Sequence, residues 1–147
     1  SKVGMFGHGY TYSGHPVGCA VALKTLEIYE RDDVYGHAAQ VGEYLQQRLR
    51  EFEDHEIVGN VRGVGLIGAV EIVADKTTRE PFDPSAAGYL QQTCQEHGLI
   101  GRALAGTTFA VCPPLIITRE QIDELIDILK KGLDATAAKY ASVRRAS

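Results

Sequence analysis

Residues 57–73 read IVGNVRGVGLIGAVEIV, and this stretch predicts most about the fold. Apolar side chains occupy both sets of alternating positions. A strand buried on both faces produces such a pattern, so we expect a central strand covered on both sides. Glycines inside it indicate a tight entry and close approaches by neighbouring backbone. The alternating sets are Val64, Leu66, Val70 and Ile72, and Ile67, Ala69 and Val73; the glycines are Gly63, Gly65 and Gly68.

Two helices are predicted before this stretch. Pro16 suits the first turn of a helix, where its missing N–H costs nothing, and apolar residues then recur at helical spacing as far as Ile28. Asp33 is a candidate N-cap for a second helix, whose apolar stripe ends at Phe52.

A third helix, two strands and a last helix are predicted after it. Asp83-Pro84 starts the third helix and Gly98 ends it. Strands at 99–103 and 108–112 follow, and Thr118 with Gln121 forms a capping box for the last helix. Its buried stripe is Ile122, Leu125, Ile126, Leu129, Leu133 and Ala137. Helices and strands in this order predict an α/β fold, a short mixed sheet covered by helices.

Composition excludes several classes of protein. The 147 residues carry a formal net charge of -4, which argues against a nucleic-acid binder. No stretch approaches the roughly 20 apolar residues of a membrane span. Cys19, Cys94 and Cys112 are expected to be small buried residues in a reducing compartment, so we expect a cytoplasmic protein.

The loop before the first helix, GHGYTYSGHP at residues 7–16, is a candidate phosphate site. Glycines let backbone approach a ligand, and N–H groups beside a helix N-terminus bind anions. The alternative is a glycine-rich turn whose hydroxyls only cap the helix. His8 and His15 lie here without metal-ligand spacing, so no metal is expected.

Arg102 lies in an otherwise apolar strand. An arginine there can bind a carboxylate or phosphate with two hydrogen bonds, or it can reach from a sheet edge to water. Glu71 and Asp75 flank a strand end without an evident partner for a catalytic pair, and Cys94 and Cys112 lack any signature of a nucleophile.

Four segments together resemble one family. They are YTYSGHPVGCAVAL (10–23), VRGVGLIGAVE (61–71), GLIGR (98–102) and CPPLIIT (112–118). Their order and content resemble the C-terminal part of class III pyridoxal-phosphate aminotransferases, and the Ser-Gly-His-Pro variant resembles the ω-amino acid or amine:pyruvate branch. The resemblance implies a fold-type I enzyme: residues 1–16 end its large cofactor-binding domain, 17–50 are connecting helices, and 51–147 form the small domain.

The resemblance also implies site residues. Thr11, bordered by Tyr10, would bind the phosphate of pyridoxal 5'-phosphate, in the partner subunit of a homodimer. Arg102 would bind the substrate carboxylate. No catalytic residue matches: the Schiff-base lysine would lie upstream, so this chain alone would be inactive.

Two rival hypotheses stay open. One is a non-catalytic α/β binding or dimerisation module. The other is a different class III enzyme, an aminomutase or a decarboxylase.

Overall fold

The computed structural model describes Gly4 and residues 7–144, so residues 1–3, 5 and 6 of the predicted N-terminal loop lie outside the described part. The chain divides into two compact units, Ser1–Tyr35 and Gly36–Ser147. Within the described residues, no helix is long and apolar enough to cross a membrane. The elements are α1 (Pro16–Arg31), α2 (Val34–Arg50), a 3-10 helix (Glu51–Asp54), β1 (Val58–Val64), β2 (Ile67–Ile72), α3 (Ala86–Glu96), β3 (Arg102–Leu104), β4 (Thr108–Val111) and α4 (Arg119–Arg144).

The first unit contains α1, which starts at Pro16 as predicted. None of its residues is buried. After it, Asp33 has a left-handed φ of 46°, whereas an N-cap residue normally has extended backbone. Asp33 thus directly precedes α2, where an N-cap residue was predicted, but its backbone does not have the usual N-cap conformation.

The stretch at 57–73 is a hairpin and not the single central strand that its pattern predicts. β1 and β2 pair antiparallel from Val58 with Ile72 to Val64 with Ile67. Gly65 turns the chain with a φ of 54°, a backbone conformation that costs glycine little. Val64 and Ile67 beside the turn are 75% and 58% exposed, so the sheet is not covered on both faces there.

The four strands form one sheet in the order β1-β2-β4-β3. Helices packed with one sheet confirm the α/β class. The three strand pairings are all antiparallel, so the expected mixed sheet is wrong. The β3–β4 hairpin was predicted, but β3 begins at Arg102 and not at Leu99.

One face of the sheet carries the core. Val70 and Phe109, which are register partners, are almost completely buried there. A side chain added at Gly68 would place its Cβ 2.2 Å from Leu49, so α2 packs directly on β2 at this glycine. All six residues of the predicted α4 stripe are buried.

The helix ends agree with the predicted caps in part. The Thr118 N–H donates to Gln121 Oε1 at 3.0 Å, and the Gln121 N–H donates to Thr118 Oγ1 at 3.3 Å, which confirms the capping box. Gly98 after α3 has a φ of 97°, as its predicted C-cap role requires. Asp83 instead accepts hydrogen bonds from the N–H and hydroxyl of Ser85, and α3 begins later than predicted.

Candidate functional site

The face of the sheet opposite the core carries its polar side chains, and we call it the open face. Two rows of register partners cross all four strands there. The first row is Arg62, Ala69, Ala110 and Arg102, and the second is Asn60, Glu71, Thr108 and Leu104. Seven of these eight residues are exposed or half-buried, and only Thr108 is buried. The open face therefore offers charged groups above a floor of two alanines.

Arg102 lies at one end of the first row, on β3, and is exposed. Within the described part of the chain it makes no hydrogen bond or ion pair, so its donors are available to a ligand. The residues before and after Arg102 both contact other elements. Gly101 lies against the Phe109 ring, and the Ala103 N–H donates to Gln91 Oε1 at 2.6 Å.

Arg62 lies at the other end of the row, and sequence reasoning did not select it. Its guanidinium donates to Glu71 Oε2 at 2.8 Å and to Thr108 Oγ1 at 3.2 Å. Glu71 therefore has a partner, which the sequence did not reveal. An arginine among the glycines and valines of β1 is the same kind of signal as Arg102.

The N-terminal loop folds back on itself at Tyr10. The Ser13 N–H donates to the Tyr10 carbonyl at 2.9 Å, and the Tyr10 N–H donates to Ser13 Oγ at 2.8 Å. Thr11 lies in this turn and is exposed. No side chain caps the N-terminus of α1, where His15 is the N-cap residue. The alternative in which loop hydroxyls serve as helix caps is therefore not what the structure shows.

Histidines and cysteines give no further site in the described part of the chain. No group of three or more His, Cys, Asp or Glu side chains there could hold a metal ion. Burial raises the pKa of the Cys94 thiol to about 12, so it is not a nucleophile at neutral pH. Cys19 and Cys112 are exposed, so the prediction of burial is right only for Cys94.

Two histidines of the second unit are partly buried and bonded to distant parts of the chain. His55 is only 12% exposed and lies 3.1 Å from Asp134 Oδ1. His37 is half-buried and its Nε2 lies 2.9 Å from the Ile117 carbonyl. Both side chains connect elements distant in sequence and have structural roles.

Known proteins similar to this chain are aminotransferases. A family model described as aminotransferase class-III matches residues 1–133. The chain is 47% identical over 137 residues to the putrescine–pyruvate aminotransferase of Pseudomonas aeruginosa, covering 92% of this chain and 30% of that protein. It is 42% identical to probable gamma-aminobutyrate transaminase 4 of Oryza sativa subsp. japonica, covering 98% of this chain and 30% of that protein.

Solved structures of transaminases share the fold. A transaminase obtained by ancestral reconstruction superposes with a TM-score of 0.85 at 48% identity, over 94% of this chain and 31% of that one. The ω-transaminase from Pseudomonas jessenii in complex with PMP gives 0.83 at 42% identity, over 93% and 30%. The chain thus spans about 30% of the length of these relatives. Since the family model matches residues 1–133, this chain belongs to the class-III aminotransferase family.

Proposed function

We propose that this chain is the C-terminal part of a pyridoxal-phosphate-dependent aminotransferase that moves an amino group from an ω-amino acid or amine to pyruvate or a similar keto acid. The observation that carries the proposal is Arg102, exposed and unpaired among the described residues, on the open face of a class-III aminotransferase chain. The similarity to a putrescine–pyruvate aminotransferase and to ω-transaminases supports this branch.

The N-terminal loop fits the phosphate of the cofactor. Thr11 presents an exposed hydroxyl in a turn that internal hydrogen bonds already shape. The first N–H groups of α1 have no side-chain cap, and such groups favour a dianion. We therefore assign Thr11 to the phosphate and Tyr10 to its border.

Arg102 is assigned to the substrate carboxylate. Its planar guanidinium can donate two parallel hydrogen bonds to a carboxylate. For an amine without a carboxylate, its exposed side chain can turn away from the open face into solvent. The same enzyme can therefore accept both kinds of donor.

Pyridoxal 5'-phosphate, when bound, supplies an electron sink for the carbon that exchanges its amino group. The lysine that holds the cofactor and moves the proton is proposed to lie in the upstream part of the parent enzyme. The 147-residue chain by itself is accordingly expected to be inactive.

A homodimer with cofactor sites at the subunit interface is part of the proposal. Thr11 would serve the partner subunit's cofactor, and residues 1–16, 17–50 and 51–147 are the proposed large-domain end, connecting helices and small domain. The exposed apolar residues of α1 support a partner surface: Val17, Val21, Leu23 and Leu26 are all more than half exposed. The cytoplasmic location stays a prediction.

Cofactor retention tests the phosphate assignment. In the full-length enzyme that contains this chain, Thr11→Ala should weaken binding of pyridoxal 5'-phosphate about 5- to 50-fold, since it removes one charge-assisted hydrogen bond. Fluorescence titration of the apoenzyme measures this. The control is Thr25→Ala, because that hydroxyl donates to the Val21 carbonyl within α1. Unchanged affinity in Thr11→Ala would contradict the assignment.

Donor selectivity tests the role of Arg102. Arg102→Ala should lower kcat/KM for β-alanine roughly 10- to 150-fold. This range corresponds to the loss of about 1.5–3 kcal/mol, the contribution of a hydrogen bond to a charged group. Turnover of n-butylamine should change less than about 3-fold, since that donor has no carboxylate. An equal loss on both donors would reject the carboxylate role.

A further inference from the structure

The guanidinium of Arg62 lies over the centre of the open face and not at its edge. Arg62 belongs to β1, but it donates to Thr108 on β4, and β2 lies between these strands. Because neighbouring strands are about 4.8 Å apart, the Arg62 side chain, its hydrogen bond and the Thr108 side chain together span about 10 Å of sheet. Ala69 leaves this path clear, as its side chain is only a methyl group.

Two polar partners fix that position. Glu71 Oε2 accepts from Arg62 at 2.8 Å, and the buried Thr108 accepts at 3.2 Å. A weaker bond of 3.4 Å reaches Asn60. These bonds use three of the five guanidinium donors, so two remain for a ligand.

Arg102 starts from the other end of the same row, one strand beyond β4. The Thr108 position that holds the Arg62 guanidinium is therefore about 5 Å, one strand spacing, from the strand of Arg102. The two rows contain two arginines and one carboxylate, Glu71, so the open face has an excess positive charge above the methyl groups of Ala69 and Ala110.

We propose that Arg62 and Arg102 converge on one substrate carboxylate, with Glu71 and Thr108 as positioning residues that hold Arg62 in place. The inference rests on the proposed function and deepens it. Arg62 supplies a fixed cation and Arg102 a movable one. A donor that carries a carboxylate engages both cations, whereas a plain amine engages neither.

The test uses the full-length enzyme and measures kcat/KM for β-alanine and for n-butylamine. Arg62→Gln should lower the value for β-alanine at least 10-fold, mainly through KM, and change that for n-butylamine less than 3-fold. Arg62→Lys keeps the charge but not the fork of donors, so it should recover part of the β-alanine activity. Arg50→Gln, on the exposed surface of α2, is the matched control and should change neither donor.

The double variant Arg62→Gln/Arg102→Gln separates convergence from independent action. If both side chains bind the same carboxylate, the double variant should lose less kcat/KM for β-alanine than the product of the two single-variant losses. A loss equal to that product would overturn convergence.

A purely structural ion pair predicts a different result. In that case Arg62→Gln and Glu71→Gln would both lower the melting temperature and leave the ratio between the two donors unchanged, which would overturn the proposal. Should Arg62→Gln fail to fold, the ratio of kcat/KM for β-alanine to that for n-butylamine is measured in Arg62→Lys instead. If Arg102→Gln lowers kcat/KM equally for both donors, the proposed function itself fails. If only Arg62→Gln does so, this inference alone fails.

Discussion

Gly101 lies directly before Arg102 and allows β3 to approach the core. A Cβ built at Gly101 would lie 2.0, 2.6 and 2.7 Å from three carbons of the Phe109 ring. Carbon atoms in contact normally lie about 3.5–4.0 Å apart, so the ring or the strand would have to move by roughly 1.5 Å. Phe109 is 1% exposed and cannot leave its site. Gly101→Ala should therefore push β3 outward and displace Arg102.

The expected cost follows from overpacking of a dense core, about 1–3 kcal/mol. For a domain of this size that corresponds to a fall in melting temperature of about 3–12 °C. Thermal unfolding of the purified protein that carries this chain measures it. Under the proposed function, activity with β-alanine should also fall more than activity with n-butylamine, because the Arg102 backbone moves.

Gly88→Ala is the matched control, since it makes the same chemical change within α3. A Cβ there would meet nothing within 4 Å. It should be neutral or stabilising by up to about 1 kcal/mol, because alanine favours helix more than glycine does. The reasoning about Gly101 would be refuted if Gly101→Ala melted within 1 °C of the parent protein or matched the control.

Three further predictions concern the same unit. Thr118→Ala should destabilise the protein by about 0.5–2 kcal/mol in urea unfolding, because α4 loses its N-terminal cap; no change in midpoint would show that the cap contributes nothing. At pH 8, a thiol reagent should modify exposed Cys112 quickly and buried Cys94 only on unfolding, and fast labelling of both would contradict the packing. The hydrogen bond from Lys130 lowers the pKa of Asp134, so this carboxylate stabilises the fold above its unfolded pKa of about 3.9 and loses that contribution as the pH falls through its folded pKa. Asp134→Asn should therefore lower the free energy of unfolding more at pH 7 than at pH 2.5. An equal loss at both pH values would exclude a stabilising interaction between Lys130 and Asp134.

Local sequence signals located the helices well. The start of α1 at Pro16 and the capping box of α4 depend on neighbours within four residues, and the structure confirms both. The predicted apolar stripe of α4 is also confirmed, because helical periodicity directly indicates the buried side of a helix. Arg102 is a charge in a predicted apolar strand, and the structure places it exposed on β3 and unpaired within the described residues; its role in binding stays a prediction.

The strands were harder to predict because the alternation of apolar residues does not show which strand pairs with which. Apolar positions on both faces of 57–73 predict one covered strand, whereas Gly65 folds the stretch into a hairpin. Alternation fixes which side chains share a face of one strand, but not which strand lies beside it. The expected mixed sheet is antiparallel for the same reason.

The sequence by itself determined the class of fold, the positions of the helices and the family resemblance, since these depend on local pattern and on motifs in order. Only the tertiary structure decided that Arg62 reaches past β2 to Thr108, that Glu71 is its partner, and that Arg102 stands at the other end of the same row. These relations depend on strand order and register. The turns set the registers of the β1–β2 and β3–β4 hairpins locally, but the pairing of β2 with β4 joins segments distant in the chain, which no local pattern determines.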